Sequence, residues 1–113
     1  MKKQALPSGV IKQLEEHIAQ KIRERGFEDE GVHERLLLLA EEVGELINAV
    51  RHVSGMNVDK QRAARNEVGE EVADVINLVF AVAIKMGIDV EKEFIKKEET
   101  IDKRTYQRSS KQV

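Results

Sequence analysis

The stretch LLLLAEEVGELINAVR, residues 36–51, decides how this chain folds. Its apolar residues recur at steps of three and four, which marks an amphipathic helix and not an alternating strand. Set out at 100° per residue, Leu36, Leu39, Val43, Leu46, Ile47 and Val50 share one face, and Glu41, Glu42 and Glu45 lie together on the other. A row of charges on a helix is ordinarily its wetted side. Here Leu37, Leu38 and Ala49 share the acidic side, so the carboxylates border a second surface suited to packing.

The same periodicity runs outward in both directions, and the chain divides into four expected helices. The first starts at Ser8 as N-cap, follows the stripe Ile11, Leu14, Ile18, Ile22 and stops at Gly26, with Lys12, Glu15, Gln20 and Arg23 on a solvated face. The second covers about 33–53 and ends in SGMN; the third covers about 60–86, capped by Asp59 and stopped by Gly87. Asp89 caps a fourth helix carrying Val90, Phe94 and Ile101. A single proline and 4% aromatic residues argue against a many-stranded sheet. The expected fold class is all-α, a four-helix chain forming a helical bundle completed by oligomerisation. At 113 residues the chain supports one modest core, so we expect a single domain over 1–113 with a frayed tail at 105–113.

Composition removes several classes of function. Acids and bases nearly cancel, 21 against 19, which leaves no basic field for a nucleic-acid polymer; KQRAAR (60–65) and DKRTYQR (102–108) lack interleaved aromatics beyond Tyr106. The absence of cysteine excludes disulfides, thiolate catalysis and Cys-based zinc sites and fits a cytoplasmic location. The longest mostly apolar run, 75–84, is about half the ~20 residues of a membrane span. A soluble protein is expected, with no membrane partner.

The third helix repeats the acidic pattern. Glu67, Glu70, Glu71 and Asp74 stack on one face, which continues as Leu78 and Ala81, and nine of the ten residues 75–84 are apolar, Asn77 being the exception. The acidic stripe therefore leads into an interior. Like charges partly removed from water need neutralising, and Glu42 with Glu45 facing Glu71 with Asp74 offers four carboxylates to one divalent cation. Hard oxygen ligands without thiol or imidazole suit Mg²⁺, then Mn²⁺ or Ca²⁺. Gly44 and Gly69 among these acids suggest a close approach of backbone or ligand. Glu30 and His33 have the ExxH spacing of a di-iron bundle, but the second motif is ExxD and the pair is incomplete.

EEVGEL (41–46) followed by EVAD (71–74) resembles the EExxE and ExxD signature of the MazG-like all-α nucleoside triphosphate pyrophosphohydrolases. The likeness covers about 26–104 and extends through GEEVADVINLVFAVAIKMGIDVEKEF (69–94) to a basic KKEETIDKR (96–104). It implies Mg²⁺-dependent hydrolysis of a (d)NTP between its α and β phosphates, giving the (d)NMP and pyrophosphate, with Mn²⁺ as a substitute. By position, Glu42, Glu45, Glu71 and Asp74 are the implied metal ligands, and Glu41 either orients or deprotonates the attacking water or helps hold a further Mg²⁺. Lys97 and Arg104 are implied to reach phosphates, in a homodimer or homotetramer whose subunits complete each site. Members often carry a tryptophan ahead of the first motif where a base can rest; this chain has none and offers Phe27, which also suits a core or loop anchor. Asn77 either bonds the nucleotide or satisfies a backbone group in the bundle. A non-catalytic helical interaction module with an acidic rim fits the composition equally well and leaves the two acidic stripes beside apolar surface unexplained.

Overall fold

The computed structural model describes residues 6–58 and 67–105. Four helices make up the fold: α1 (Val10–Glu24), α2 (Val32–Val53), α3 (Val68–Lys85) and α4 (Val90–Asp102), with no strand among the described residues. None of these helices is long and apolar enough to cross a membrane. The expected stops at Gly26 and Gly87 are there for a backbone reason. Both glycines take positive φ, +78° and +70°, and each closes a left-handed cap in which Phe27 N–H bonds Ile22 O and Ile88 N–H bonds Ala83 O. Asp89 caps α4 with a side-chain oxygen accepting from Lys92 N–H at 3.1 Å.

Two helix starts differ from expectation. Gly9, not Ser8, is the N-cap of α1, and no side chain of its own segment caps it. The cap comes from across the fold: Glu91 Oε1 accepts from Gly9 N–H at 2.8 Å and Lys12 N–H at 3.3 Å. Glu15, expected on a wet face, is buried and returns the favour by accepting from Val90 N–H, the first residue of α4, at 3.2 Å. Helices α1 and α4 thus cap each other. The third helix begins at Val68, because Glu67 is extended at φ −79°, ψ 148°. Residues 60–66, expected to belong to it, lie outside the described residues. Asp59, expected to cap it, lies outside the described residues, as does the tail from 106 onward.

Helices α2 and α3 run antiparallel. Arg35 in the first turn of α2 donates to the carbonyl of Ala81 late in α3, while Glu42 lies beside Glu71 and Asp74 near the start of α3. The face of α2 that turns inward is Arg35, Leu39, Glu42, Leu46 and Ala49, at steps of four, three, four and three. Leu36, Val43, Ile47 and Val50, which share the apolar face with Leu39 and Leu46, are 38–55% exposed. The discrepancy is one of phase. The apolar arc of α2 is broad, and the exposed stripe lies about 90° round the helix from the packed one. On α3, Val72, Ile76 and Val79 are likewise exposed beside the packed Val75, Leu78 and Val82. Helix α1 also packs on α3, and α4 packs chiefly on α1.

Candidate active site

The sequence places Glu42 on the inward stripe of α2, seven residues and about two turns from Arg35. Glu71 and Asp74 project from the first two turns of α3, where the positive end of the helix dipole favours carboxylates. Their three-residue spacing puts them one above the other. Packing α2 against α3 brings oxygens of Glu42, Glu71 and Asp74 within 4.8 Å of one another. Glu71 is 1% exposed, Glu42 is half-buried and Asp74 is exposed, so the cluster runs from the helix interface to solvent.

No side-chain cation among the described residues compensates these carboxylates. Every ion pair seen among the described residues involves Lys12 or Lys21 of α1, and none reaches the cluster. Glu71 Oε2 is buried without a hydrogen-bond partner. Removal of water around Glu42 pushes its carboxyl above the usual range, reinforced by its hydrogen bond with Glu71 and by the negative charge of Asp74, Glu71 and Glu41. A buried carboxylate with neither donor nor counter-charge costs several kcal/mol, and natural cores rarely retain one without a use. Oxygens that ligate one Mg²⁺ or Ca²⁺ at 2.0–2.6 Å lie within about 4–5 Å of each other, so this trio has the donor type and the spacing for a divalent cation.

Other residues singled out in the sequence stand apart from the trio. Glu41 and Glu45 are exposed on α2 and belong to the rim, not to the cluster. Asn77 is exposed, and its amide donates to Ala73 O one turn back at 3.2 Å. Phe27 is 48% exposed in the α1–α2 connection, and its carbonyl accepts from Arg35. Lys97 on α4 and Arg104 just beyond it are exposed, on the helix that packs on α1 and not on the acidic pair. Gly44 and Gly69 have nothing within 4 Å of where a Cβ would stand, so no close approach occurs there within one chain. The residue that sequence reasoning passed over is Arg35. Its signal was a charge in phase with Leu39, Glu42, Leu46 and Ala49, hidden because the more strongly apolar stripe lies a quarter-turn away.

An all-α chain whose two antiparallel helices meet across EExxE and ExxD carboxylates falls in the class of MazG-like all-α nucleoside triphosphate pyrophosphohydrolases. Within that class, the phosphoribosyl-ATP pyrophosphohydrolase family model matches residues 9–104, and the chain belongs to that family. Comparison with individual curated proteins gives no match. The family is one of pyrophosphohydrolases, hydrolases acting on acid anhydrides, and is typically dependent on a divalent metal. The match takes in all four helices, including both acidic motifs.

Proposed function

We propose that this protein hydrolyses a nucleoside triphosphate between its α and β phosphates, releasing the monophosphate and pyrophosphate. Phosphoribosyl-ATP, the substrate in the family's name, carries the same triphosphate and belongs to the same substrate class. The observation that carries this reading is the trio Glu42, Glu71 and Asp74, with a buried Glu71 oxygen that has no partner. Those three carboxylates would hold Mg²⁺, or Mn²⁺ in its place, and Glu45 one turn along α2 would join them from the rim. When bound, the cation neutralises the triphosphate and stabilises the charge gathered on the departing pyrophosphate.

The chain's own groups supply the rest. Glu41 next to the trio holds the attacking water or takes its proton, or else joins in holding a further Mg²⁺, and no covalent nucleophile is required. Asn77 exchanges its bond to Ala73 O for one to the nucleotide, and Phe27 offers an exposed ring for the base. The second element of the reading is assembly into a homodimer or homotetramer. Among the described residues five apolar side chains are buried and eighteen large ones are exposed, with Leu36, Val43, Ile47, Val50, Val72, Ile76 and Val79 flanking the acidic pair. Soluble monomers seldom leave such a contiguous surface wet, and a second copy of the chain covers it. In that assembly Lys97 and Arg104 would reach the phosphates of a nucleotide bound at the partner's site.

The test is purified protein with Mg²⁺ and a panel of canonical dNTPs, NTPs and phosphoribosyl-ATP, scored for pyrophosphate release. Release from at least one member, abolished by chelation and by Glu71→Gln, is the expected result. Orthophosphate as the first product, or turnover that survives Glu71→Gln, overturns the assignment.

A further inference from the structure

We infer that the protein has a second anion site, separate from the carboxylate cluster, that takes a phosphate group between α1, α2 and the C-terminal end of α3. A cavity of about 260 Å³ opens there, lined by Arg23 of α1, Glu28 of the α1–α2 connection, Arg35 of α2 and Lys85 of α3, against an apolar wall of Ile22 and Ile84. Three cations thus meet one carboxylate. Among the described residues none of the three makes an ion pair. Arg35 donates to two carbonyls, Ala81 O (2.6 Å) and Phe27 O (3.2 Å), and Lys85 donates to Glu28 O at 3.1 Å. Carbonyl dipoles orient a guanidinium and leave its charge in place.

Surface electrostatics accounts for two of the cations and not for the third. Arg23 and Lys85 are exposed and close the last turns of α1 and α3, where the negative end of each helix dipole favours them. Arg35 is 2% exposed, lies in the first turn of α2 where the dipole opposes a cation, and keeps a buried Nε–H with no acceptor. Such a group needs an anion. Net positive charge of about two at the cavity matches a phosphate dianion better than a monocarboxylate, and an arginine fork is the side chain suited to its oxygens. The volume holds a phosphate with a short organic remainder, below the range of drug-sized pockets.

This site is not the catalytic one. Lys85 lies eleven residues beyond Asp74, about 16 Å along α3. The two are linked through α2, because Arg35 and Glu42 share its inward stripe. A phosphate held by Arg35 fastens the far end of the helix pair whose near end carries the carboxylates.

The experiment uses the full chain, free of divalent cations and at constant ionic strength, titrated with inorganic phosphate by calorimetry and by thermal unfolding. A saturable binding heat and a rising midpoint are expected, with acetate at the same ionic strength giving neither. Arg23→Gln with Lys85→Gln, both exposed, should weaken phosphate binding about tenfold or more. Arg35→Met should abolish it, and if that variant does not fold the exposed pair still decides. Glu71→Gln should bind phosphate as the unaltered chain does, which keeps this result independent of the proposed hydrolysis. Absence of saturable binding, for instance because a second copy fills the cavity, overturns the inference. So does a wild-type response from the Arg23/Lys85 double variant.

Discussion

Two regions of the molecule draw carboxylates out of water and treat them in opposite ways. Where α1 meets α4, Glu15 accepts from Val90 N–H and from the Lys12 ammonium at 3.1 Å, while Glu91 accepts from Gly9 and Lys12 N–H. Every buried charge there has a donor, and the Glu15 contact together with Asp89 holds the Lys12 ammonium above its ordinary pKa. Where α2 meets α3, Glu42, Glu71 and Asp74 face one another, Glu71 Oε2 is buried without a partner, and no cation among the described residues pairs with them. The first arrangement stabilises the fold. The second stores an electrostatic penalty that a bound cation would remove, which is why we propose it as the functional site.

The sharpest way to break this comparison is to neutralise one acid in each region. Glu71→Gln should lower turnover by at least about a hundredfold while far-UV circular dichroism keeps its helical signal. In the other region, Glu15→Ala should leave turnover per folded molecule unchanged and lower stability by about 1–2 kcal/mol, seen as a melting point about 5–10 °C lower. If both variants lose activity to the same degree, the division of labour is wrong. A charge placed on the exposed stripe, Ile47→Asp, should split the assembly, and light scattering that reports an unchanged mass would remove that face from the interface.

Divalent cation is the next probe. At about a hundred times its dissociation constant, Mg²⁺ should add roughly 2.7 kcal/mol to stability, an increment lost in Glu71→Gln and kept in Glu15→Ala. The smallest effect is on pH. Because Glu42 titrates above its ordinary 4.5 in the fold, the folded chain holds that proton more tightly than the unfolded one. Its contribution to stability is complete below pH 4.5 and is lost as pH rises through the raised value. Cation-free protein should therefore soften from pH 4.5 toward neutrality, and Mg²⁺, which requires the ionised carboxylates, should restore most where the loss is greatest. A Mg²⁺ increment that is flat with pH would separate Glu42 from the cation site.

Much of this molecule is legible in its amino acids alone. The four helices, the left-handed stops at Gly26 and Gly87 and the Asp89 cap follow from local rules, because each depends on residues within one turn. The two acidic motifs are likewise local, and their spacing puts each set on one side of a helix. Sequence reasoning went astray wherever the deciding partner was distant. Ser8 lost the cap of α1 to the carboxylate of Glu91, 82 residues beyond Gly9, and Glu15 looked wet until α4 came to lie over it. The inward stripe of α2 could not be chosen from a hydrophobic arc broader than a single neighbour covers.

What the order of amino acids determined by itself was the inventory: an all-α chain, two carboxylate motifs about one turn long, and apolar stripes beside them. Tertiary structure decided which of those acids meet. Helical periodicity sets the angle between side chains on one rod and says nothing of the rotation of that rod against its neighbour. Only the contact of α2 with α3 turned Glu42 inward beside Glu71 and Asp74, left Glu41 and Glu45 at the rim, and buried Arg35 without a counter-ion.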